Sequence, residues 1–149
     1  MPNKNSIHVH TCEIPVRWFD MDAFGHVNNS VYFTYFEQAR TDWWRTTTPT
    51  GTKFDQSGPV IINAFCTFFK AIIFPETLVI KLYAGPPGRS SYECSYEIYS
   101  KANPELLYAE GFTKVVWVDR QLERSIPLPD YVLKHLPSAP SVESTKSKT

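Results

Sequence analysis

Two carboxylates, a glycine and a histidine stand close together in the stretch Arg17-Trp18-Phe19-Asp20-Met21-Asp22-Ala23-Phe24-Gly25-His26-Val27-Asn28-Asn29. Immediately after it, apolar residues begin to recur at helical spacing, so these groups stand before a helix N-terminus. Free backbone amides and the helix dipole favour negative charge at such a place. A carboxylate a few residues earlier can reach a carbonyl held against those amides. One loop would then supply both an attacking group and an oxyanion site, which is the minimum that acyl transfer requires. The same residue types also have a plainer use, because Asp and Asn before a helix commonly serve as caps and turn formers.

The elements that must position this loop are legible from periodicity. From Val9 to Trp18, Cys12, Ile14, Val16 and Trp18 alternate with Thr11, Glu13, Pro15 and Arg17, as in a half-buried strand. Pro15 lacks an amide donor, which assigns that strand to a sheet edge or to a bulge. From Ser30 to about Arg45, Tyr32, Tyr35, Phe36, Ala39 and Trp43 share one helical face. Val31 and Phe33 widen that face, which predicts deep burial of the helix's first half. Asn28 or Asn29 is suited to cap it. Glu37 and Arg40 read as an ion pair on its polar side.

The rest is strand-like. Pro59 to Lys70 is almost continuously apolar, the pattern of a strand covered on both faces. Thr77 to Ala84 and Ser91 to Ser100 alternate, with the turn Gly85-Pro86-Pro87-Gly88 between them. Leu106 to Asp119 makes a long last strand in which Ala109 and Gly111 leave room for close packing. A short helical turn is expected around Tyr131 to Leu136. The order strand, helix, four strands defines an α+β domain whose sheet wraps around and buries the one long helix.

Composition narrows the partners. The chain has 149 residues, 42 % of them apolar and 15 % aromatic, enough for a core within one domain. Fifteen basic residues balance fifteen acidic ones, which disfavours non-specific nucleic-acid binding and electrostatic membrane anchoring. Such neutrality also gives little protection against self-association. The first ten residues, MPNKNSIHVH, lack the apolar segment of a secretory signal, and no run approaches the ~18 apolar residues of a membrane span. Cys12, Cys66 and Cys94 lie far apart in strand-like stretches, as reduced, buried thiols of a cytoplasmic protein do. No set of residues suggests a metal. Residues 1–7 read as a flexible N-terminus, 8–136 as the domain, and 137–149, rich in Pro, Ser, Thr and Lys, as a disordered tail.

The segment DMDAFGHVNNSVYFTYFEQAR resembles the N-terminal motif of the 4-hydroxybenzoyl-CoA thioesterase family of hot-dog proteins. The resemblance extends over about residues 8 to 120, because the order of elements and the GRSSYECSYEIY strand also fit. It implies a hot-dog fold, with a five-stranded antiparallel sheet wrapped around one long helix, and hydrolysis of an acyl-CoA to free acid and CoA. The second aspartate of the family's Asp-x-Asp pair, matching Asp22, would act as nucleophile or general base. The backbone amide matching Asn29 would polarise the thioester carbonyl, and Gly25, Val27 and Asn28 would line the bound substrate. His26 is either an acid for the leaving thiolate or a hydrogen-bonded loop residue, and Asp20 a brace. Arg89, with Ser90 and Ser91, is the candidate for the CoA phosphates, and Lys70 a weaker one; solvated turn residues are the alternative reading. The resemblance implies no cofactor beyond the CoA of the substrate, and a homodimer or homotetramer with active sites at the interface.

Two rivals share the fold. One is a protein that binds acyl-CoA or acyl-carrier protein without turnover. The other, a hydratase, needs a histidine on the helix, and Ser30 to Arg45 has none. Phe24, Tyr32, Tyr35, Phe54 and Phe65 are available to an acyl pocket or to the core.

Overall fold

A computed structural model describes residues 2–138. The elements are β1 (Ile7–Pro15), a single 3-10 turn (Trp18–Asp20), α1 (Val31–Thr47), β2 (Ser57–Phe68), β3 (Thr77–Ala84), β4 (Ser91–Ser100), β5 (Leu107–Asp119), β6 (Arg124–Ser125) and α2 (Asp130–Leu133). The strands form one antiparallel sheet in the order β1-β3-β4-β5-β2, and the two-residue β6 adds to the end of β5. The hot-dog arrangement is therefore present, with six strands rather than five. Of the expected tail 137–149, residues 139–149 lie outside the described residues.

Alternation builds the sheet's concave face. Leu78, Ile80 and Leu82 of β3 are fully buried, as are Cys94 and Ile98 of β4 and Val115 of β5, with Tyr92 and Tyr96 nearly so. The α1 face formed by Tyr32, Tyr35, Phe36, Ala39 and Trp43 packs onto them. Each large apolar side chain so buried contributes roughly 1.5–3 kcal/mol. At the centre, the Phe36 ring stacks on Tyr96, with centroids 4.5 Å apart. Its other edge lies directly against the backbone of Gly111, where any Cβ would collide with the ring.

Four expectations are corrected. The first strand ends at Pro15, and the chain turns at Trp18–Asp20, leaving Trp18 65 % exposed instead of facing inward. Pro15 does sit on an edge strand, since among the described residues β1 pairs with β3 alone. Phe33 is exposed, because α1 turns it to the sheet's open flank rather than into the core. Arg40 is buried, so no surface pair with Glu37 forms; its guanidinium donates to the Tyr96 hydroxyl at 3.1 Å. Finally, β2 is the other edge of the sheet, and within one chain Ile61, Ile62, Phe65 and Phe68 remain exposed instead of covered on both faces.

Candidate active site

The loop from Asp20 to Ser30 is a compact hydrogen-bonded structure. Met21 and Val27 pair across it as an antiparallel bridge. Inside, the Asp22 amide donates to the His26 carbonyl at 3.1 Å and the Gly25 amide to the Asp22 carbonyl at 3.0 Å. Gly25 closes the turn at φ +86°, a left-handed conformation in which a side chain is unfavourable. The loop is tied to the domain where the Val27 amide meets the Ile72 carbonyl at 2.8 Å, and closed on itself where the Asn28 amide meets the Asp20 carbonyl at 3.0 Å.

The two aspartates have separate tasks. Asp20 is 2 % exposed and accepts from the Arg17 amide at 2.9 Å, the Arg17 guanidinium at 3.0 Å and the Tyr35 hydroxyl at 2.8 Å. Burial alone would raise its carboxyl pKa, but the Arg17 amide, the Tyr35 hydroxyl and the Arg17 charge outweigh it and hold the group below its ordinary value. Tyr35 is correspondingly pushed up, first by burial and then by this bond. Asp20 is a brace between loop and helix.

Asp22 is half-buried and held at both oxygens. Its Oδ1 accepts from the Phe24 amide at 2.9 Å, and its Oδ2 from the Asn28 side-chain amide at 3.0 Å. Each carboxylate oxygen accepts more than one bond, so the group is fixed in direction without being used up. Asn28 also accepts from the Ser30 amide at 2.9 Å and the Ser30 hydroxyl at 2.6 Å, and its carbonyl takes the Val31 amide at 2.9 Å. It thus ties Asp22 to the first turn of α1, whose N-cap is Ser30 rather than Asn28 or Asn29. Between them the exposed Asn29 offers a backbone amide with no hydrogen-bond partner among the described residues.

A cavity of about 220 Å³ opens beside this amide, lined by His26, Val27, Asn29, Tyr32, Phe68 and Lys70 among others. The Asn29 amide lies on its wall and the Asp22 carboxylate is held in the adjoining loop, a pair of groups chemically suited to attack on a carbonyl. One wall is made by Tyr32 and Phe68, whose rings meet edge to face at 4.7 Å; Tyr32 is among the pocket candidates that the sequence offers, and Phe68 is not. The one signal for that wall is Tyr32 in the first turn of the helix. Of the other candidate lining residues, Phe24 is exposed on the loop, Tyr35 is core and Phe65 stacks on Phe112 on the outer face.

Phe54 belongs elsewhere. A second cavity, about 530 Å³, lies at the C-terminal end of α1 between Trp43, Trp44, Phe54, Tyr92 and Trp117. Arg89, Ser90 and Ser91 lie at that far end too, where the Ser90 carbonyl accepts from the Trp117 amide at 2.8 Å. Within one chain they are separated from Asp22 by the length of β4, whereas Lys70 stands beside the loop.

A family model described as the thioesterase-like superfamily matches residues 16–136. A structure from Pseudomonas aeruginosa, provisionally named a thioesterase, is 40 % identical, covers 85 % of this chain and 96 % of its own, and superposes with a TM-score of 0.79. One from Xanthomonas campestris, provisionally named an acyl-CoA thioesterase, is 30 % identical over 76 % of this chain and 96 % of its own, with a TM-score of 0.70. A 1,4-dihydroxy-2-naphthoyl-CoA thioesterase from Synechocystis shares the fold at 20 % identity and a TM-score of 0.78, covering 84 % of this chain and 93 % of its own. With that match over most of its length, the chain belongs to the thioesterase-like superfamily, whose reaction is thioester hydrolysis.

Proposed function

We propose that this protein hydrolyses acyl-CoA thioesters in the manner of the 4-hydroxybenzoyl-CoA thioesterases, with Asp22 as the catalytic carboxylate. The thioester carbonyl oxygen rests on the Asn29 amide. Asp22 either attacks the carbonyl carbon itself or takes a proton from the water that does. The C–S bond breaks, the thiolate leaves and is protonated, and the acid is released. In the first case, water then opens the Asp22 anhydride. His26, on the cavity wall, is the candidate donor of that proton. The observation that carries this reading is the Asp22 carboxylate, directed by the Phe24 and Asn28 amides, in the loop that presents the unpaired Asn29 amide. A thiol-release assay over aryl and aliphatic acyl-CoAs tests it: wild type releases CoA, and Asp22→Asn does not. Equal release by both would remove the assignment.

The assembly we infer is a homodimer formed across β2. Its apolar edge, with Ile62 59 % and Phe65 53 % exposed, would continue the sheet into a second copy. Antiparallel pairing of the two β2 strands exchanges the ends of the sheet. Each copy's Arg89-Ser90-Ser91 turn is then brought to the same end as the other's Asp22 loop, where the CoA phosphates would lie. We place the reaction in the cytoplasm, where Cys12, Cys66 and Cys94, all free thiols, would stay reduced. Among the described residues, no helix is long and apolar enough to cross a membrane.

A further inference from the structure

Arg40 is 7 % exposed, yet no carboxylate among the described residues forms an ion pair with it. One guanidinium nitrogen donates to the Tyr96 hydroxyl and the group lies 5.6 Å from the centre of the Trp44 ring, but Nε has no hydrogen-bond partner. A cation withdrawn from water without an opposite charge is unfavourable. The described residues of one chain therefore leave Arg40 without the partner it needs.

The side of α1 on which it sits says what. Asp42 bonds His10 of β1 at 2.6 Å, so that flank of the helix faces β1. At ~3.6 residues per turn, Phe33, Glu37, Arg40 and Trp44 fall on the opposite flank, spaced four, three and four apart. This flank faces β2, which α1 hardly covers, and there Ile61 and Phe68 are exposed. Glu37 is exposed too, and makes no ion pair or hydrogen bond among the described residues.

We propose that this flank receives the same flank of a second copy, with Glu37 of each copy ion-paired to Arg40 of the other. The inference rests on the β2 dimer and supplies its lock. A two-fold contact is reciprocal: whatever one copy gives at one position it receives at the other. Positions 37 and 40 straddle the middle of α1 (Val31–Thr47), so two helices crossing antiparallel at their middles bring Glu37 against the partner's Arg40 twice. Positions 33 and 44 share that midpoint, so the same operation sets Phe33 over the partner's Trp44.

Sedimentation velocity of the full chain over a concentration series tests the lock. Wild type is expected to dimerise, Glu37→Asp to follow it closely, and Glu37→Arg to weaken association about tenfold or more, because two like-charged contacts replace two ion pairs. An equimolar mixture of Glu37→Arg and Arg40→Glu chains is expected to associate as tightly as wild type, which neither does alone. Because Glu37 is exposed, its variants fold whether or not Arg40→Glu does, and Glu37→Arg decides alone. If Glu37→Arg dimerises as wild type does, the lock is overturned while the β2 dimer stands. If wild type stays monomeric throughout, both are lost.

Discussion

At its N-terminal end α1 meets a loop of polar groups that hold one another by hydrogen bonds; at its C-terminal end it meets aromatic rings arranged around open space. The first end fixes directions. Asp22, Asn28 and Ser30 are joined within about one turn, and Asp20 anchors them to Tyr35 and Arg17. The second end fixes a shape, with Trp44 donating to the Tyr92 hydroxyl at 2.9 Å and Trp117 meeting Phe54 edge to face. Separating the two leaves the aromatic cavity free to vary in size without disturbing the hydrogen-bonded loop.

The comparison can be broken most severely at Asp22. Its replacement by Asn is expected to lower kcat/KM about a thousandfold or more with little change in Tm, because it removes the attacking or proton-accepting group and keeps the shape. Asn28→Ala leaves Asp22 Oδ2 without its side-chain donor and frees the first turn of α1; a fall of about 10- to 100-fold in kcat is expected, larger than the change in KM. Asp20→Asn acts on stability instead, costing about 1–3 kcal/mol by denaturant titration at neutral pH. It also changes the pH dependence. Since the Asp20 pKa is lowered in the fold, its stabilisation is complete above its ordinary value near 4 and is lost as pH falls through the lowered value, so the variant's stability should decline less on acidification.

Trp44→Phe sharpens the contrast from the other end. It leaves the nearly buried Tyr92 hydroxyl without its donor and is expected to lower stability by about 1–2 kcal/mol, with the wild-type acid dependence retained. The smallest effect concerns the thiols. At pH 8, Cys94, fully buried with its pKa pushed up to about 12, should resist alkylation until the protein unfolds, while the half-buried Cys12 and Cys66 react slowly. Mass spectrometry of pulse-labelled protein would order them.

What the sequence disclosed follows from how each signal arises. The strands at Thr77–Ala84 and Ser91–Ser100 were legible to the residue, because strict alternation encodes one buried and one open face. The helix was legible from its single apolar stripe. Alternation does not say what lies beyond the sheet, so the run through Ile61, Ile62 and Phe65 announced a strand that wants covering and not that one chain leaves it bare. Arg40 was misread because a charge three residues after Glu37 has the spacing of a surface pair, and only the packed structure shows it turned under the sheet. At the site, the carboxylate and its loop were visible as motif. The bond from Asn28 to Asp22 and the cavity wall of Tyr32 and Phe68 depend on the loop's closure onto Ile72, which no local pattern encodes.

The contact between Phe36 and Gly111 sets a gauge for the whole molecule. With the tip of Phe36 against the Gly111 backbone and its face on Tyr96, the helix stands off from the sheet by the length of one phenylalanine side chain at that point. Even a methyl group added at Gly111 would act as a shim, lifting α1 and tilting the loop attached to its front end. Misalignment of the reacting groups would then originate on the strand behind the helix, at a residue that never meets a substrate.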